Sequence, residues 1–405
     1  MTKRESTLTA LPSADADAGA GQWPWFDDEQ LAAAERVLRS GRINYWTGTE
    51  VKAFEAEFAA YCGVPHGIAL ANGTLALDFA LKAAGIGPGD EVIVTPRTFV
   101  ASASCVAMAG AAPVFADVDA ASGNLSPAAV RAAVTSRTRA VIAVHLAGWP
   151  CDMDAISAIA REHELLVIED CAQAHGATIR GRRVGSFGDI AAFSFCQDKI
   201  MTTAGEGGLL LVRDPETFER AWSLKDHGKN RRKMMEPPQG HGFRWVHDSL
   251  GTNGRMIELQ AAIGRIQLRR LDEWLAARRR NAAILDRQFE SIDAFEVHRP
   301  GPHIGHAYYK YYAFVRPERL KPGWTRDRIL EAVNAAGATC RGGSCSEVYL
   351  EKAFDGTGAR PPERLPIARR LGETSLLFEV HPTLNAERVR RTGETVAAVM
   401  GQATR

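Results

Sequence analysis

The stretch from Leu165 to Gly208, LLVIEDCAQAHGATIRGRRVGSFGDIAAFSFCQDKIMTTAGEGG, constrains this chain more than any other. It contains two apolar runs of strand length, 165–169 and 190–195, each closing on polar residues. Runs of this kind predict strands of an open α/β sheet, whose C-terminal ends form the floor of a ligand crevice. The first delivers Asp170 there, and the second is followed by Gln197, Asp198 and Lys199. An acid and an amine on one floor form a chemical pair. The amine can condense with a carbonyl, and a buried carboxylate can hold a heteroaromatic nitrogen protonated. The plainer alternative makes Asp170 a turn cap and Lys199 a solvated loop residue. It gives no reason for Gly205, Glu206, Gly207 and Gly208 after the lysine, or for Ser194 and Gln173 beside it.

The preceding chain alternates as α/β proteins do. Helices are expected at 28–39, ended by Gly41, and at 51–61. Strand 67–71 leads to helix 75–84, and strand 91–95 to helix 100–108. Strand 112–116, helix 126–134 with Pro127 near its start, strand 139–146 and helix 153–163 then reach the central stretch, and strand 208–212 follows it. Two strand-to-helix turns carry chemistry. At Asn72-Gly73-Thr74 a small residue admits a ligand to a helix N-terminus, where unpaired N–H groups attract phosphate. An ordinary turn capped by Thr74 is the alternative, and the lysine motif downstream favours phosphate. At Thr98-Phe99 an aromatic ring leaves a strand end.

Pyridoxal phosphate (PLP) requires a lysine together with an acidic partner for its ring nitrogen. The segments Glu169-Asp170-Cys171-Ala172-Gln173, Phe193-Ser194-Phe195 and Lys199-x-x-Thr202-Thr203-x-Gly205-Glu206-Gly207-Gly208 resemble those of PLP-dependent sugar aminotransferases of the DegT/StrS type. The ordered match runs from about Gly41 to Leu268. It implies an α/β protein with the type I PLP aminotransferase fold: a large domain around a mostly parallel seven-stranded sheet, plus a smaller α+β C-terminal domain. The expected divisions are a disordered tail at 1–24, an N-terminal arm and PLP-binding domain at 25–275, and the small domain at 276–405.

The resemblance assigns catalysis to Lys199, which forms the cofactor's Schiff base, and to Asp170, which keeps the ring nitrogen protonated. It adds Gly73, Thr74 and Ser194 toward the phosphate, Phe99 over the ring, and Gln173 toward the phenolic oxygen. Asn253, in Gly251-Thr252-Asn253-Gly254-Arg255, would reach the phosphate of a partner chain, making a homodimer with shared active sites. Two positions depart from the family pattern: Gly254, where an aromatic is usual, and Ala204, where a glycine is common. No metal is implied. Glutamate would donate the amino group and a nucleotide-linked keto-sugar would receive it, in amino-sugar biosynthesis for a surface polysaccharide or secondary metabolite. The alternatives are a transaminase of a free keto-sugar or cyclitol and, in another class, a non-catalytic PLP-fold regulatory or binding protein. A dehydratase of the same fold would carry histidine where Lys199 stands.

Other stretches carry less. Tyr45 and Trp46 read as packing of the arm, and His175 as structural. Residues 226–248 form a basic loop with Pro237, Pro238, Gly240 and Gly242, which argue against regular structure. A helix begins after Met256 with apolar residues at helical spacing as far as Leu275. Beyond it lie a strand at 306–316, helices at 326–336 and 386–400, and a glycine-rich segment at 341–349 that suits either a substrate loop or a plain connection.

Composition excludes several classes. With 405 residues the chain exceeds one ordinary core. A formal net charge of +1 gives no reason to expect nucleic acid or a membrane surface as partner. Seven cysteines (62, 105, 151, 171, 196, 340 and 345) are scattered, with no CxxC, as in a reduced cytoplasmic protein. Residues 1–21 lack the apolar core of a signal peptide, and no apolar run approaches the ~20 residues of a membrane span.

Overall fold

The computed structural model describes residues 21–237 and 242–404. Asp27 caps the helix Asp28–Ser40 by accepting from Gln30 N at 3.1 Å, and Gly41 ends it at φ 65°. The helix Glu50–Cys62 ends at Gly63 in the same conformation. Glycine closes both because the left-handed conformation needed there clashes with a Cβ.

Seven strands then form the main sheet: β1 (His66–Leu70), β2 (Glu91–Val94), β3 (Ala112–Phe115), β4 (Thr138–Val144), β5 (Leu166–Asp170), β6 (Ile190–Ser194) and β7 (Gly208–Val212). Their order is β1-β7-β6-β5-β4-β2-β3. β7 runs antiparallel to both neighbours, and all other pairings are parallel. The sheet is therefore seven-stranded and mostly parallel, as expected. Both faces are buried, and alternate side chains enter different cores. Val92, Val94, Ala140, Ile142, Val144 and Ile168 face one cluster, which includes Phe54, Phe58, Phe193 and Phe195. Ile93, Val141, Ala143 and Val167 face the other, against Met153, Ile156 and Ile159.

A separate core forms around β8 (Phe295–Glu296), β9 (Tyr311–Val315) and β10 (Ser375–Phe378), paired in the order β8-β9-β10. The helix Glu258–Phe289 spans 32 residues and serves both cores. Its Leu268, Leu271 and Leu275 pack with the main sheet, and its Ala282, Leu285 and Phe289 with the smaller one. The division expected between 275 and 276 thus falls within one continuous helix that changes packing partner.

Four expectations need correction. The tail was placed at 1–24, but residues 21–24 are docked, while 1–20 lie outside the described residues. Gly21 N donates to Thr383 O at 3.1 Å, and Trp23 packs edge-on against Trp274 with ring centroids 5.1 Å apart. An indole with packing partners and a hydrogen-bond acceptor outweighs the polar composition around it. The strand expected at 306–316 is shorter, because His306 accepts from Tyr308 N at 2.7 Å and turns the chain before Tyr311. The basic loop contains the helix Arg231–Met235, capped by Asn230. The long helix, finally, continues to Phe289, well past the apolar repeat.

Candidate active site

A cavity of about 1000 Å³ opens where the C-terminal ends of β4, β5 and β6 meet the smaller core. Gly73, Thr74, Phe99, Asp170, Gln173, Ser194 and Lys199 all line it. Asn253 does not. It lies exposed on the surface, its backbone bridged to Asp226. The neighbouring Gly254 is buried, and a Cβ there would meet the Phe79 ring at 2.7 Å, so Phe79 fills the space an aromatic at 254 would need.

The helix Gly73–Ala83 starts at the cavity. Asn72 Oδ1 accepts from Leu75 N at 2.9 Å, and Asn72 O from Ala76 N at 3.3 Å. The first two N–H groups, of Gly73 and Thr74, remain for a ligand at the positive end of the helix. Close approach dictates glycine at two places. A Cβ on Gly73 would lie 2.6 Å from the Ser194 Cβ, and one on Gly208 would lie 2.2 Å from Asn72 O. The glycine run after the lysine therefore lets β7 press against the Asn72 turn.

Asp170 sits at the tip of β5, 5% exposed. Ser102 Oγ donates to its Oδ2 at 2.7 Å and Ala172 N to its Oδ1 at 3.1 Å, while Thr98 Oγ1 lies 2.8 Å from Ser102 Oγ. Ser102 and Thr98 escaped the sequence reading. The faint signal was a pair of hydroxyls four residues apart, one just before and one just inside a mostly apolar helix. Glu169 points to the opposite face, where it accepts from Gly185 N, Phe187 N and Gly188 N at 2.8, 2.7 and 2.7 Å and lies 3.0 Å from His145 Nε2. Burial alone would raise its pKa, but His145 and these N–H groups hold it below the usual carboxylate range.

Gln173 Oε1 accepts from Ala147 N at 2.8 Å, which leaves its NH₂ to donate elsewhere. Phe99 is 66% exposed and lines the cavity. Lys199 Nζ lies 3.6 Å from Asp198 Oδ1 and 5.1 Å from the centroid of Tyr309. Tyr309 donates its hydroxyl to Asp198. Burial opposes the Asp198 charge, yet Lys199, Tyr309 and Lys310 hold its pKa below the ordinary value. Lys310 Nζ lies on the same ring at 5.1 Å and pairs with Glu379 at 3.7 Å.

The lysine loop is pinned from outside. Trp23 Nε1 donates to Lys199 O at 2.7 Å, and Thr202 Oγ1 to Phe195 O at 2.8 Å. Ala204 takes φ 63°, the left-handed conformation that explains why glycine suits that position better. His175 is fully buried beside Phe193 and Phe195, and burial, with Lys199 adding to it, pushes its pKa down to about 3. It is a neutral packing residue. The described residues of the basic loop do not line the cavity: Arg231 pairs with Glu219 at 2.9 Å and Lys233 with Asp248 at 2.6 Å. Tyr45 is buried under Lys225, whose Nζ lies 3.9 Å from its ring centroid.

A lysine, a hydrogen-bonded carboxylate and an unclaimed helix start thus share one cavity. The sequence model of the DegT/DnrJ/EryC1/StrS aminotransferase family matches residues 24–397. The chain belongs to this family. Its members are PLP-dependent, and the chain is an aminotransferase with the aminotransferase fold. An aminotransferase from Psychrobacter cryohalolentis superposes with a TM-score of 0.92 at 51% identity, over 94% of this chain and 98% of that one. The dTDP-3-amino-3,4,6-trideoxy-alpha-D-glucose transaminase of Streptomyces venezuelae is 37% identical over 91% of each chain. GDP-perosamine synthase of Caulobacter vibrioides is 43% identical over 73% of this chain and 76% of its own length. Among the described residues no helix is long and apolar enough to cross a membrane.

Proposed function

We propose that this aminotransferase uses PLP to move an amino group from glutamate to the keto group of a nucleotide-linked sugar, for amino-sugar biosynthesis. The observation that carries the reading is the convergence of Lys199, Asp170 and the Gly73–Thr74 helix start in one cavity. The donor set suits PLP: N–H groups at a helix start for the phosphate, a hydrogen-bonded carboxylate for the ring nitrogen, and an amide NH₂ for the phenolic oxygen. When bound, PLP supplies a reactive carbonyl and an electron-withdrawing ring, which side chains lack.

In this reading Lys199 would hold that carbonyl and move a proton to and from the substrate carbon. Asp170, steadied by Ser102 and Ala172 N, keeps the ring nitrogen protonated. Thr74 and Ser194 hold the phosphate with the two helix N–H groups. Gln173 donates to the phenolic oxygen, and Phe99 covers a ring face. Asn253, exposed on this chain, would reach the phosphate of a second copy, completing a site shared across a homodimer. The catalytic residues, the dimer and the glutamate donor belong together to this proposal.

Two features support a nucleotide-linked acceptor. Sites for small ligands occupy roughly 300–1,000 Å³, and this cavity is at the upper end. Lys310 and Arg341 on its small-core wall suit a diphosphate. The two curated relatives described above are a dTDP-sugar transaminase and GDP-perosamine synthase, in keeping with that class. The test is a transamination screen with glutamate against nucleotide-linked keto-sugars, free keto-sugars and cyclitols. Turnover with one or more nucleotide-linked acceptors is expected, and turnover confined to free acceptors would overturn the reading.

A further inference from the structure

Arg97 lies two residues before Phe99, and nothing described so far uses it. Its side chain is 1% exposed, and none of Nε, Nη1 and Nη2 has a hydrogen-bond partner among the described residues. The guanidinium rests on two rings of the smaller core, 4.9 Å from the centroid of Tyr312 and 5.4 Å from that of Phe314. Ring faces offset only part of the cost of removing a cation from water, and they leave its five N–H donors without acceptors.

Beside it lies a second cavity of about 30 Å³, separate from the large one and lined by no Asp or Glu. Of its other polar lining, Ser122, Tyr311 and Tyr312 donate their hydroxyls to Asp119, Asp286 and Ser344. Lys310 borders both cavities. His306 accepts from Tyr308 N at its Nδ1, so its Nε2 carries the hydrogen and donates. Asp119 Oδ1 accepts from Ala121 N, Ser122 N and Ser122 Oγ, and Glu296 lies 3.0 Å from His298 Nε2 and 3.6 Å from Arg370, and neither acid lines the space. A buried, unpartnered cation facing a small space with no carboxylate is short of one negative charge.

We propose that Arg97 forms the floor of a binding site for a small monovalent anion, chloride by size. The space accommodates about two waters or one monatomic ion. The ion would pair with the guanidinium and join the turn after β2 to β9. Thr98 N and Val348 N already tie that turn to the segment 345–348, donating to Cys345 O and Pro96 O at 3.1 and 3.0 Å.

Thermal unfolding at constant ionic strength, with gluconate replaced by chloride, is the first measurement. A hundredfold rise in chloride should raise the melting temperature by at least about 2 °C. Arg97→Met, which keeps the stem packed on Tyr312 and Phe314, should lose that dependence. Because removing a buried group can compromise folding, the unaltered protein gives a second readout. Crystals grown in bromide should show an anomalous scatterer within hydrogen-bonding range of the Arg97 guanidinium. A melting temperature indifferent to chloride, or bromide crystals with only water beside Arg97, would overturn the proposal.

Discussion

On the sheet side of the large cavity, side chains are delivered by strand ends and a helix start; on the small-core side they come from turns and loops. Asp170 and Ser194 close β5 and β6, and Gly73 opens its helix against Ser194 with no room for a Cβ. Opposite stand Tyr309, Lys310, Arg341, Ser344 and Cys345, set by a turn and by the glycine-rich segment at 341–349. Hydrogen bonds hold Asp170 and Gln173 on the first wall, whereas Arg341 and Cys345 are exposed. The difference implies a division of labour. The rigid wall suits one invariant cofactor, and the adjustable wall suits the part of the substrate that varies among relatives.

The largest effect should follow from removing a charge on the rigid wall. Asp170→Asn keeps the Ser102 contact and should retain bound PLP, yet slow turnover by about 10²-fold or more, the scale for losing a preorganised electrostatic partner. Single-turnover measurement of each half-reaction checks this, and both should fall. Near-normal rates would remove Asp170 from the mechanism.

Next in size is the contribution of a third wall from a second copy. Mixing Lys199→Ala chains with Asn253→Ala chains gives heterodimers in which one site carries both defects and the other neither. Activity should rise above that of either parent, measured at limiting PLP. Heterodimers confirmed by mass but showing no recovery would return the site to a single chain.

A smaller and more selective change is expected on the adjustable wall. Arg341→Met removes a charge-assisted hydrogen bond of about 1.5–3 kcal/mol, raising KM for the sugar substrate roughly 10- to 100-fold. The glutamate half-reaction should stay within about threefold. Equal damage to both halves would erase the division between walls. The smallest effect is expected of Trp23→Phe, which keeps the packing on Trp274 and loses the bond to Lys199 O. One neutral hydrogen bond of about 1 kcal/mol predicts a few-fold loss in kcat and little change in KM.

The same division explains what was legible in the sequence. Strand ends announce themselves, because an apolar run must stop where a polar side chain enters the crevice. Asp170 could be located for that reason, and the seven strands with it, while the segments around Ser194 and Lys199 carried the family resemblance. Ser102 could not, since a serine in an apolar helix has no pattern that says what it faces. The small-core wall was illegible because loop residues meet through tertiary packing, not periodicity. Trp23 was hidden by its neighbours, whose polar composition reads as a tail although the indole is anchored. Gly254 was noticed as a departure, and its reason, the Phe79 ring, lies 175 positions away in the chain.

Lys199 is the lysine proposed to engage the cofactor, and the cavity offers a rival in Lys310, at the same distance from the Tyr309 ring. Lys225 is also nearby in sequence but is fully buried and paired with Glu55 at 2.9 Å. The purified protein, loaded with PLP, should be yellow, and borohydride should bleach the colour while fixing the cofactor covalently to the chain. Peptide mapping by mass spectrometry should then find the label on Lys199 alone. A label on Lys310 or Lys225, with Lys199 unmodified, would contradict the account.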